Sequence, residues 1–280
     1  MLNKTIKLII ATTILLIPNF VCQQNTDAKE SKTESYEKKL RLTNLNNINI
    51  TNELAKNKNK TEELIKNKRP KALYLEQWIL LEPNNKNLLR NLSKLTKKYQ
   101  TKLYLIVGRN TWFGKRGASN TVEAFDTYGE YVDGIVLRIL PNKTNVWKDD
   151  NAIRAQVLNQ MLDAYYAIYL KAKKRNKSFI VEYPFWLSDF KGPLKSFSEN
   201  TCDYADRIIF IIDNAEMLDK IATKWNDVTC SYGINLTKRA TMQNEELIKE
   251  LYKKLNSKLT LYANFIGYII DSDSTLTDSD

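Results

Sequence analysis

The residues able to do chemistry in this chain gather behind short apolar runs. Glu76, Gln77 and Trp78 follow the run ALYL, Arg109, Asn110 and Trp112 follow KLYLIVG, and Arg138 lies inside DGIVLRIL, ahead of Pro141 and Trp147. Glu182, Tyr183 and Trp186 end SFIVEYPFW, Asp213 and Asn214 end RIIFIID, Asn235 and Lys238 follow VTCSYGI, and Asp271 ends FIGYIID. Histidine is absent from all 280 residues. That excludes Ser-His-Asp triads, Cys-His pairs and His-ligated zinc or haem, and leaves catalysis to carboxylates, Lys, Tyr, Cys or a cofactor. Glu182 with Glu76, Asp213 or Asp271 offers the kind of carboxylate pair that glycoside hydrolysis uses. Trp78, Trp112, Trp147 and Trp186 offer indole faces to sugar rings, with Tyr183 and Asn235 to hydrogen-bond hydroxyls. Arg109, Arg138 and Lys238 offer instead a cationic pocket for an anionic ligand, such as an acidic sugar or a phosphorylated polymer.

The elements that must position these residues follow from hydrophobic period. Eight β-branched, apolar runs, from a weak one at KLRLTNLNNINI to FIGYIID, alternate with stretches of helical period. In NEELIKELYKKL, for example, Leu247, Ile248, Leu251 and Leu255 recur at three- and four-residue spacing, as one buried helix face requires. Eight strand-helix units predict a single (β/α)8 TIM barrel over residues 41–275, with its chemistry where strands end and loops begin. An open, doubly wound sheet is the runner-up. No glycine-rich turn follows the first strands, so a dinucleotide cofactor is not expected, nor is any other cofactor.

The two ends of the chain read differently. Residues 1–22 carry Lys4 and Lys7, an apolar run from Leu8 to Ile17 too short to span a bilayer, and a break at Pro18, the pattern of an export signal. Cys22 stands where a lipoprotein carries its acylated cysteine, although Asn19, Phe20 and Val21 depart from the usual lipidation pattern; plain secretion and an uncleaved anchor are the alternatives. Residues 23–40 read as a polar tether and 276–280 as an acidic tail. The expected location is the cell envelope, membrane-anchored through lipid, with a carbohydrate or other envelope ligand as partner. Lys and Arg number 43 against 32 acidic residues, a net charge of +11, but they are scattered rather than striped, so nucleic acid is not an expected partner. The terminal DSDS lacks the glycine and closing glutamate of a calcium loop, and no metal is expected. Cys202 and Cys230 read either as a disulfide, if the protein is exported, or as small buried hydrophobes.

At YVDGIVLRIL the chain resembles the fourth strand of chitinase-type (family 18) glycoside hydrolases, whose motif runs D-x-x-D-x-D-x-E. Asp133, Gly134, Ile135, Leu137, Pro141 and Trp147 are compatible with that pattern, and VEYPFWL, ADRIIFIID and FIGYIIDSDS resemble later strands of the family. Where the family has its inner acidic residues this chain has Val136, Arg138 and Leu140, so the family mechanism cannot run. Strand parity puts these three on one face, and an inward Arg138 needs Glu182 or Glu76 as partner. The resemblance therefore implies an envelope-tethered, glycosidase-like barrel with a degenerate motif, a pseudoenzyme that binds glycan or another surface ligand without hydrolysing it. The alternative it implies is an active glycosidase with a relocated carboxylate pair including Glu182.

Overall fold

A parallel sheet covered by helices outside and packed on itself inside buries both faces of every strand, so its strands must be apolar nearly throughout. Most of the short runs meet that requirement, and β1, with the sequence NNIN, departs from it by burying Asn47 and Asn49. The computed structural model describes residues 46–272 except 57–59, 83–84, 86, 148–149, 191–194, 213–215, 225–229 and 238–263, where only 250, 253 and 254 are described. Eight strands, β1 (Asn46–Asn49), β2 (Ala72–Glu76), β3 (Lys102–Val107), β4 (Gly134–Arg138), β5 (Ser178–Pro184), β6 (Arg207–Ile211), β7 (Ser231–Asn235) and β8 (Phe265–Asp271), pair in chain order. All pairs are parallel, and β8 closes on β1 through Asn49 opposite Asp271. The (β/α)8 barrel is thus the fold, and closure excludes the open sheet.

Helices α1 (Thr51–Lys56) and α2 (Thr61–Lys68) follow β1, and α3 (Leu88–Lys98), α4 (Gly114–Tyr128), α5 (Asn151–Lys174), α6 (Phe197–Tyr204) and α7 (Glu216–Lys224) follow β2 to β6 in turn. The longest, α5, starts on Asp150, whose carboxylate accepts from the Ala152 and Ile153 N–H groups. Helix α6 starts on a capping box in which Ser196 and Glu199 satisfy each other's backbone N–H. The helix expected over 244–255 falls almost wholly outside the described residues, as do the leader, Cys22, the tether and the acidic tail. No helix among the described residues is long and apolar enough to cross a membrane.

Side-chain parity divides the core in two. Ala72, Tyr74, Tyr104, Ile106, Val136, Ile180, Ile209 and Ile269 point inward and fill the barrel. Their neighbours, among them Leu73, Leu75, Leu105, Ile135, Leu137 and Val181, point outward beneath the helices. Gly134 permits a close approach of β4 to β5, since a Cβ there would stand 2.3 Å from the Ser178 carbonyl oxygen. Two aspartates fix strand starts. The Asp133 N–H donates to the Leu103 carbonyl while its Oδ2 accepts from the Leu103 N–H and its Oδ1 from Lys102. Asp206 repeats the device, with its N–H on the Phe179 carbonyl and its carboxylate accepting from the Phe179 N–H and from Lys173.

Candidate functional site

Above the apolar filling, the last inward position of several strands is polar. Register sets Arg138 of β4 beside Glu182 of β5, and Glu76 ends β2 across the mouth. Arg138 Nε donates to Glu182 Oε2 at 2.9 Å and Nη2 to Oε1 at 3.2 Å, a bidentate pair, and Nη1 donates to Glu76 Oε1 at 3.1 Å. Glu182 Oε1 also accepts from Asn235 Nδ2, and Glu76 Oε2 accepts from Trp78 Nε1 at 2.9 Å. A continuous chain, Trp78–Glu76–Arg138–Glu182–Asn235, therefore spans the top of the barrel. Burial works against the Arg138 charge, but the Glu182 and Glu76 carboxylates outweigh it and hold the guanidinium firmly protonated, above its usual value. Asp271 is buried at the end of β8 beside Asn49.

A cavity of about 480 Å³ opens over this chain, within the range of small-ligand sites. Glu76 and Arg138 reach its floor, Leu140, Ile106 and Ile211 give it an apolar side, and Trp78, Trp112, Arg109 and Asn110 stand at its rim. The rim loop leaves β3 through Gly108 at φ 126°, and a Cβ at that position would meet the Arg138 carbonyl oxygen at 2.2 Å. Only glycine lets the backbone carrying Arg109 pass so close to β4.

Of the residues expected at the site, the fold brings together Glu76, Trp78, Arg109, Trp112, Arg138, Glu182 and Asn235. Tyr183 lies elsewhere: it points outward, fully buried between Phe197 and Phe210, with its hydroxyl on Ser198. Trp147 and Trp186 pack edge-on against each other and on Phe190. Trp186 lines a separate groove between α5 and α6. Asp213 and Lys238 lie outside the described residues. Gln77, Leu81, Leu140 and Ile211 also line the mouth cavity. Ile211 was findable, because it shares parity with Arg207 and Ile209 on β6. Among the described residues, no group of three Cys, Asp or Glu side chains is placed to hold a metal ion.

No protein-family model matches the sequence, and no curated protein matches it. Solved structures do match in fold. A provisionally assigned fructose-1,6-biphosphate aldolase from Coccidioides immitis shares 11% identity over 85% of this chain and 76% of its own, with a TM-score of 0.52. The YdjI aldolase from Escherichia coli K12 shares 9% over 87% and 81%, at 0.50. The 4-hydroxy-tetrahydrodipicolinate synthase from Methylacidiphilum fumariolicum SolV shares 10% over 83% and 69%, also at 0.50. At these identities the likeness is one of fold, and the class it defines is the (β/α)8 barrel.

These neighbours overturn the chitinase-type resemblance, and with it the glycosidase-like pseudoenzyme and the relocated-pair glycosidase. The structure supplies the physical reason. Asp133 and Gly134, the core of the matched motif, serve strand registration and close packing at the bottom of the barrel rather than chemistry at the top. Glu182 is locked to Arg138 in a bidentate pair, and two of the four tryptophans expected over a sugar pack on each other instead.

Proposed function

We propose that the mouth is the site of a lyase-type enzyme acting on a small anionic compound that bears a carbonyl or hydroxyl group. The observation carrying this reading is that Arg138 and Glu76 meet at 3.1 Å on the floor of one cavity. Arg138 engages three of its five N–H groups in fixing itself between Glu182 and Glu76, and the other two have no partner among the described residues. A guanidinium held rigid in this way stabilises negative charge on an enolate or alkoxide oxygen without reorganising. Glu76 beside it is the group that accepts a proton from the adjacent carbon or hydroxyl. Arg109 at the rim pairs with the ligand's own carboxylate or phosphate, and Trp78 and Trp112 flank its apolar part. The aldolase and synthase names among the fold neighbours agree with such chemistry.

The test uses pyruvate and dihydroxyacetone phosphate as probes, with proton exchange into deuterated water followed by NMR and binding followed by tryptophan fluorescence. Wild type exchanges a probe proton faster than buffer does. Glu76→Gln loses that exchange by about 100-fold or more while still quenching fluorescence, and Arg109→Ala weakens binding about tenfold. Exchange no faster than buffer, or exchange indifferent to Glu76→Gln, refutes the proposal.

A further inference from the structure

The mouth leaves the two described cysteines unused, although the fold brings them together at the opposite end of the barrel. Cys202 sits in the last turn of α6, partly buried against the core. Cys230 is buried just before β7, whose first residue, Ser231, pairs with Arg207 at the start of β6. Only Ala205 and Asp206 separate the end of α6 from β6, so the register that aligns β7 with β6 also delivers Cys230 to the last turn of α6. Both are free thiols on one core cluster, Cys230 within it and Cys202 packed against it, and Cys230 Sγ donates to the Ser231 carbonyl at 3.7 Å.

We propose that Cys202 and Cys230 are a disulfide-forming pair, closed by exchange with a disulfide oxidant, that ties α6 to the entry of β7. Cys202, the less buried of the two, attacks one sulfur of the oxidant, forming a mixed disulfide and releasing the first oxidant thiol. Cys230 then attacks the Cys202 sulfur and expels the second. The two protein thiols are oxidised, their protons pass to the two released thiolates, and the oxidant is reduced. The neighbouring Cys230 thiol, burial, and the Asp203 and Glu199 charges hold the Cys202 thiol above the usual thiol range, so closure is slow and the pair is structural in kind rather than a redox catalyst. The closed segment 202–230 holds β6 and α7.

The experiment uses the full chain, alone and with Cys22→Ser. Folded protein is incubated with oxidised glutathione, denatured in N-ethylmaleimide, digested and mapped by mass spectrometry. A Cys202–Cys230 linked peptide is expected, with a Tm about 5–10 °C above the reduced protein that dithiothreitol reverses. In Cys230→Ala, Cys202 carries a glutathione adduct and the Tm does not rise. Maleimide on both cysteines of the parent chain, a glutathione adduct on Cys202 beside a free Cys230, or a linked protein that melts no higher would overturn the proposal. The parent-chain map decides it even if Cys230→Ala does not fold.

Discussion

Replacing Arg138 by Met keeps the length of the side chain and removes its charge, stranding two buried carboxylates. Side-chain exposure is 14% for Arg138, 6% for Glu76 and 0% for Glu182, so water cannot take over the guanidinium's role. At an effective dielectric near 20, opposite charges about 4 Å apart attract by about 4 kcal/mol, or about 8 kcal/mol for the two pairs. Taking three ions out of water costs several kcal/mol each, which offsets most of that gain. The intact network is therefore nearly neutral in stability, while breaking it costs about 3–5 kcal/mol. Arg138→Met is expected to lose that much in urea unfolding at neutral pH, with an unchanged m value, and to melt about 6–20 °C lower. The triple variant Glu76→Gln, Arg138→Met, Glu182→Gln should return to within about 2 kcal/mol of wild type, because no buried charge is left without a partner. An Arg138→Met loss below about 1 kcal/mol, or a triple loss equal to the sum of the three single losses, would refute the reasoning.

Gly108→Ala places a methyl group 2.2 Å from the Arg138 carbonyl oxygen at a positive φ, so chemical denaturation should show a loss of more than about 1 kcal/mol, and probe binding at the Arg109 rim should weaken with it. Burial holds the Tyr74, Tyr165 and Tyr183 hydroxyls well above their usual value. Raised folded values mean stability that is full below pH about 10 and lost above it, so ultraviolet titration should find these three protonated until the chain unfolds in alkali. Hydrogen bonds from Lys98 and Tyr99 hold the exposed Glu62 carboxyl below its ordinary value. Its contribution is present above that value and fades as pH falls through the lowered one, and NMR titration of Lys98→Ala should move Glu62 back up.

The barrel was legible because most strands are buried on both faces and announce themselves as apolar runs, even where the following helix is short; β1, with the sequence NNIN, is the weak exception. The Arg138 pairing was legible for a similar reason: parity put the residue inside, and an interior guanidinium must find carboxylates. The same parity rule, applied to Glu182, already turns Tyr183 outward. The fates of Trp147 and Trp186 were not legible, because residues beyond a strand end lose the period-two constraint and a loop can fold over the mouth or away from it. The motif around Asp133 misled for a different reason. A short Asp-Gly-Ile match records what a parallel strand needs in order to start in register, and unrelated barrels share that need.

The Asp133 device and its repeat at Asp206 have a further consequence for how the barrel's layers are levelled. Tyr131-Val-Asp-Gly-Ile and Tyr204-Ala-Asp-Arg-Ile carry Tyr, Asp and Ile at matching places two strands apart. Each aspartate measures its own strand, β4 or β6, against the strand before it, so β3 with β4 and β5 with β6 form two units set to the same offset. Layers inside such a barrel alternate between odd and even strands, and one offset used twice keeps those layers level.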